Sequence, residues 1–93
     1  MLLEIIFQVR DFAGTGIASR DELEEPLEDA LLMSRAGEIT GGGGGAGLWQ
    51  IEIELRKGQK FEAGLKLVRH TLRQLKVPQS TVIRCGATDH PVY

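Results

Sequence analysis

Gly41 to Gly45 form an unbroken run of five glycines, with Gly47 close behind. Glycine loses more backbone freedom on ordering than any other residue, about 0.5–1 kcal/mol relative to alanine in a regular element. Five in a row therefore serve as a hairpin tip, as a distorted edge strand, or where something approaches the backbone closely. The flanking stretches read as strands, so the run belongs at the rim of a sheet, where glycine is tolerated. A flexible hairpin is its plainest reading.

The rest of the chain supplies the sheet. Leu3, Ile5, Phe7 and Val9 alternate with Glu4, Ile6, Gln8 and Arg10, the period of a strand with one buried face. Asp11 to Ser19 is a loop marked by Gly14 and Gly16. Ser19 and Glu22 have capping-box spacing, and Leu23, Leu27, Ala30, Leu31 and Ser34 then recur at helical spacing. Pro26 is comfortable only in a first turn, so the helix starts near Glu22 or is kinked. Gly37 to Thr40 is a short strand running into the glycines. Trp49, Ile51, Ile53 and Leu55 alternate with Leu48, Gln50, Glu52 and Glu54, the cleanest strand of all.

A turn at Lys57-Gly58-Gln59 leads to a second helix, striped by Phe61, Leu65, Val68, Leu72 and Leu75 and stopped by Pro78. Thr81 to Cys85 is a last strand, and Gly86 to Tyr93 shows no period. The order βαββαβ predicts an α+β, ferredoxin-like plait: a four-stranded antiparallel sheet with two helices on one face. Strands one and three are its centre, strands two and four its edges. The longest and most regular strands fall in the central places and the glycine-rich one at an edge, as that topology requires.

Length and charge bound the rest. Ninety-three residues make a single domain, 1–93, able to bury only about 60–65% of its unfolded surface. A net charge of −2 gives no reason to expect nucleic acid, whose phosphates reward basic surfaces. No apolar run approaches the roughly 20 residues that span a bilayer, so no membrane partner is expected. One cysteine, Cys85, cannot form an internal disulfide, which favours a reducing cytoplasm over secretion.

The uncovered sheet face would carry Glu4, Ile6, Gln8, Arg10, Leu48, Gln50, Glu52 and Glu54. RNA-recognition domains of this topology stack bases on aromatic residues there. None of these positions is aromatic and three are glutamates, so that route is rejected. Glu52 and Glu54 are either a solvated face or an acidic patch for a basic partner, with Ile6 and Leu48 as a small apolar centre. Trp49, at the start of a central strand, is expected in the core.

Gly42-x-Gly44-x-x-Gly47 satisfies the dinucleotide fingerprint literally. That motif works by leading a strand into a helix whose N-terminus faces a pyrophosphate. Here it leads into a strand, so the mechanism is absent, and no Lys-Ser or Lys-Thr follows to make a phosphate-cradling loop. His70, Cys85, Asp89 and His90 are scattered without structural-zinc spacing, and neither metal nor cofactor is expected.

Gly16-Ile17-Ala18-Ser19-Arg20, opening the first helix, resembles part of the acylphosphatase phosphate loop. The resemblance implies a small phosphate-handling hydrolase in which loop amides and Arg20 hold an acyl phosphate, with Gly14, Gly16 and Arg20 as the anion-binding set. It covers five residues, and the asparagine that positions water in that family has no counterpart, because the chain contains none.

Two classes of function follow. The first is a non-enzymatic binding or regulatory module, such as an immunity-like inhibitor, a regulatory subunit or a homo-oligomeric ligand sensor. It would use Gly42, Gly43, Gly44, Glu52 and Glu54 to meet a protein partner or a second copy, a homodimer being expected. The second is the acylphosphatase-like hydrolase.

Overall fold

The computed structural model describes residues 1–93. Its strands are β1 (Leu2–Gln8), β2 (Gly37–Gly45), β3 (Leu48–Leu55), β4 (Val82–Cys85) and β5 (Thr88–Pro91), and its helices are α1 (Asp21–Ser34) and α2 (Phe61–Gln74). The architecture is α+β, with one five-stranded antiparallel sheet in the order β2-β3-β1-β4-β5. No helix is long and apolar enough to cross a membrane.

The alternation in β1 and β3 selects the covered face. Leu3, Ile5, Phe7, Ile51, Ile53 and Leu55 are buried there with Leu23, Leu27 and Leu31 of α1 and Leu65, Val68 and Leu72 of α2. Together with Phe12, Ala36, Val77, Ile83 and Val92 they make one core of 17 residues. Register fixes this arrangement, because Leu3 faces Ile53 and Ile5 faces Ile51 on one side and Ile83 on the other. A slip of one residue would turn every one of these side chains to water.

Four expectations need correction. The sheet has five strands, not four, because the tail read as aperiodic forms β5 and covers β4, which is therefore not an edge. Four residues of sequence Thr-Asp-His-Pro are too few to display a period. What holds them is local pairing: Arg84 binds Asp89 at 2.7 Å, and His90 packs on Phe61 with ring centroids 5.6 Å apart. The first strand stops at Gln8 rather than Arg10, since Val9–Phe12 winds into a 3-10 turn. That turn tucks Phe12 against Phe7 and Trp49, at 5.8 and 5.1 Å between centroids. Trp49 is consequently half-buried at the rim of the core rather than sealed within it.

The fourth correction concerns the first helix. α1 begins at Asp21, so Pro26 sits in its second turn and the helix continues past it to Ser34. Only the carboxylate half of the capping box forms: Glu22 accepts the amides of Ala18 and Ser19, while no side chain caps the helix from the preceding residue.

Candidate binding edge and open sheet face

The glycine run is neither a loop nor a hairpin tip but the body of β2, paired with β3 along its length from Gly41 opposite Glu52 to Gly45 opposite Leu48. The hairpin turn lies beyond it at Ala46 and Gly47, both left-handed with φ of 53° and 79°. Positive φ at both central residues is the geometry of a type I′ turn, whose twist matches that of the strands. Val9 donates its amide to the Gly47 carbonyl at 2.9 Å, tying the tip to the end of β1.

Thr40 is an extra residue between Ile39, opposite Ile53, and Gly41, opposite Glu52. This bulge switches which residues face which layer. Ile39 points into the core, but beyond the bulge Gly42 and Gly44 share the helix face with Ile51 and Trp49, while Gly41, Gly43 and Gly45 lie on the open face.

The glycines are not equivalent. A Cβ on Gly42 would stand 2.7 Å from the Gln50 carbonyl oxygen, 3.4 Å from Glu24 Oε1 and 3.5 Å from Arg20 Cζ. One on Gly44 would make ordinary contact with Trp49 Cδ1 at 3.6 Å, and one on Gly43 would meet nothing within 4 Å. Gly42 is thus required by the fold, whereas Gly43 leaves open space that the fold does not use. On the open face Glu52 fills part of that space, with Oε2 3.6 Å from the Cβ position of Gly41. A bare backbone lets a carboxylate of β3 reach towards the sheet edge.

A shallow depression of about 350 Å³ lies on the open face, lined by Gly43, Gly45, Ile6, Leu48, Glu4 and Arg84, among others. Gln50 donates to the Glu4 carboxylate along its floor. Arg84 closes one side and is held by a two-pronged bond to Asp89, Nε to Oδ1 at 2.7 Å and the second nitrogen to Oδ2 at 3.1 Å. This pairing raises the Arg84 pKa and holds Asp89 below the usual carboxylate range. Glu54 is exposed further along the same face, opposite Glu38 on β2, with the terminal ammonium of Met1 3.0 Å away.

The other predicted set, Gly14, Gly16 and Arg20, is divided. Gly14 and Gly16 are left-handed residues of the loop before α1, with φ of 80° and 84°. Most of the amides around them are occupied. Thr15 donates to the Phe12 carbonyl and Ile17 to the Thr15 hydroxyl, while Ala18 and Ser19 donate to Glu22. Those last two bonds hold the Glu22 carboxyl below its ordinary pKa. Arg20 turns away to β2, its Nε 2.7 Å from Glu24 Oε1 in an ion pair lying over Gly42. The structure therefore brings Arg20 to the glycine edge.

Of the four residues weighed as metal ligands, no three come together. His70 lies exposed on α2 and Asp89 is bound to Arg84 on the open face, while His90 packs on Phe61 and shares a shallow depression with Cys85. Sequence reasoning missed Thr40, Glu24 and Arg84, which shape the edge. None carries a local signal, because a bulge and a cross-layer ion pair are set by pairing partners distant in the chain. Comparison with protein-family models, with curated proteins and with solved structures returned no match.

Proposed function

We propose that this protein is a non-catalytic binding module that accepts an extended segment of a partner as a further strand along the outer edge of β2. The open-face depression beside Gly43 is the adjoining contact surface. We take its frame as a ferredoxin-like plait lengthened by β5, working in the cytoplasm in keeping with the single cysteine. The observation that carries the reading is the edge itself. β2 runs for nine residues with a neighbouring strand on one side only. Between Gly41 and Gly45 its own residues carry no side chain, with Glu52 by Gly41 and the Arg20–Glu24 pair by Gly42 as nearby cover. An unpaired row of amides and carbonyls is a template for strand addition, which supplies affinity through main-chain bonds.

The hydrolase reading has weaker support. Its cradle amides at Ala18 and Ser19 are bonded to Glu22, and its arginine is paired with Glu24. A phosphate would have to displace two carboxylates.

Trp49, the chain's one tryptophan, lies beneath Gly44 and reports on the edge. Titrating a panel of extended, β-branched peptides should change its fluorescence, whereas the same peptides with proline at alternate positions, lacking the amides needed for pairing, should not. Equal responses to both, or to neither, would sink strand addition. Turnover of an acyl phosphate that disappears in Arg20→Ala would establish the hydrolase instead.

A further inference from the structure

We infer that the segment accepted by β2 is cationic, with Lys or Arg at alternate positions, and that it comes from a different protein rather than from a second copy of this chain. The inference rests on the strand-addition reading above and adds the chemistry of the occupant.

The edge is flanked by carboxylates on both sides. On the open face Glu38 stands on β2 itself, Glu54 lies opposite it, and Glu52 extends over Gly41. A strand added at the usual spacing of about 4.8 Å would place its open-face side chains within reach of these groups across the bare glycine. On the other side α1 runs over β2. It carries Asp21, Glu22, Glu24, Glu25, Glu28 and Asp29 and no basic residue, and only Glu24 is in an ion pair. Glu24 borders Gly42, and helical spacing puts Glu28 and then Leu32 on the same side of the helix. Leu32 is 62% exposed and lines a groove of about 480 Å³ with Gly37, Glu38 and Glu54, where Arg35, Arg56 and Lys57 are the basic members. The occupant thus meets Glu52 and Glu24 along the glycine stretch, apolar ground at Trp49, and a groove of mixed charge at Leu32, so its cationic side chains belong over the glycines.

A second copy fits neither way. Two-fold pairing of β2 with β2 about its midpoint at Gly41 would bring one acidic α1 alongside another and turn the two copies' Glu52 carboxylates towards each other across bare glycine. Like charges placed opposite each other oppose association. The other rim of a second copy offers only four residues, ending in Pro91, which has no amide to give.

The test uses the intact protein and three nine-residue peptides alternating valine with lysine, threonine or glutamate, read by Trp49 fluorescence. The lysine peptide should bind about tenfold more tightly than the glutamate peptide, a sum of several modest cross-strand pairs. The gap should narrow as ionic strength rises from about 0.05 to about 0.5 M. Glu52→Gln should weaken the lysine peptide about threefold and leave the threonine peptide unchanged. A threonine peptide that binds as tightly as the lysine one would overturn the charge inference while leaving strand addition standing. Failure of all three would overturn strand addition itself. Sedimentation showing a dimer at high micromolar concentration that the lysine peptide disperses would overturn the exclusion of a second copy.

Discussion

Along β2 nine residues run beside β3 with nothing on their far side, whereas along β5 four residues end in a proline and are fastened from the helix layer. Arg69 donates to the Pro91 carbonyl at 2.8 Å and Arg73 to that of Val92 at 2.7 Å, while the Val92 side chain is fully buried. The helices repeat the contrast: acidic α1 lies over β2, and α2, with Lys66, Arg69 and Arg73, lies towards β5. One rim is closed by devices that natural sheets use against unwanted pairing, namely shortness and proline. The other is longer and has no proline, its devices being charge and the bulge at Thr40. Under the strand-addition proposal, this open and charged edge is where the partner docks.

This contrast can be broken at either rim. The largest effect is expected at Gly37, where a Cβ would stand 2.3 Å from the Glu54 carbonyl oxygen. Gly37→Ala should cost about 3 kcal/mol in a urea melt, because a backbone must move to admit it. An unchanged midpoint would mean that β2 is not held to β3 as described. At the opposite rim Val92→Ala should cost about 2 kcal/mol through lost burial and a residual cavity. Amide exchange in β5 should quicken and that in β2 should not. Arg73→Ala removes one charged donor from the tail and should cost about 1 kcal/mol with the same bias towards β5.

The double change Gly43→Ser with Gly44→Ser sharpens the comparison from the other direction. Neither position has positive φ or a contact closer than 3.5 Å, so stability should move by less than about 0.5 kcal/mol. Peptide binding should weaken by about 1 kcal/mol, since side chains would then stand in the contact. Intact binding would confine Gly41 to Gly45 to a spacer and move the interface elsewhere on the open face.

The smallest effect is a pH dependence at the start of α1. The Glu22 carboxyl is held below its ordinary pKa by the Ala18 and Ser19 amides. Its contribution is present above the ordinary glutamate range and is lost as pH falls through the lowered folded value. Protection of the Ala18 and Ser19 amides, taken relative to the intrinsic exchange rate at each pH, should fall on acidification in the wild type and already be low at neutral pH in Glu22→Gln.

What the sequence made legible follows from side-chain period. β1, β3 and both helices announce themselves through apolar stripes that the core then uses, and their order gives the two-helix, antiparallel frame. Residues 41–45 have no side chains and hence no period; their strand is dictated by β3 and by a turn at Ala46, a non-glycine residue in a left-handed conformation. β5 is hidden for a related reason, since Thr88 to Pro91 are polar or exposed apart from the packing of His90. The candidate site was legible only in part. Gly42 to Gly44 and Glu52 do lie together, but the arrival of Arg20 and Glu24 above Gly42 is a tertiary event with no local trace.

The central claim is that β2 is an acceptor edge and β5 is not. Residue-resolved amide exchange, with and without saturating lysine–valine peptide, tests it most directly. An antiparallel strand bonds only the amides that point outward, which alternate along the chain. The account predicts slowing at every second residue of β2 on each side of the Thr40 bulge, which shifts the alternation, with none along Thr88 to Pro91. Slowing along β5 or in the Gly14–Arg20 loop, or an unaltered β2 in the presence of bound peptide, would contradict it.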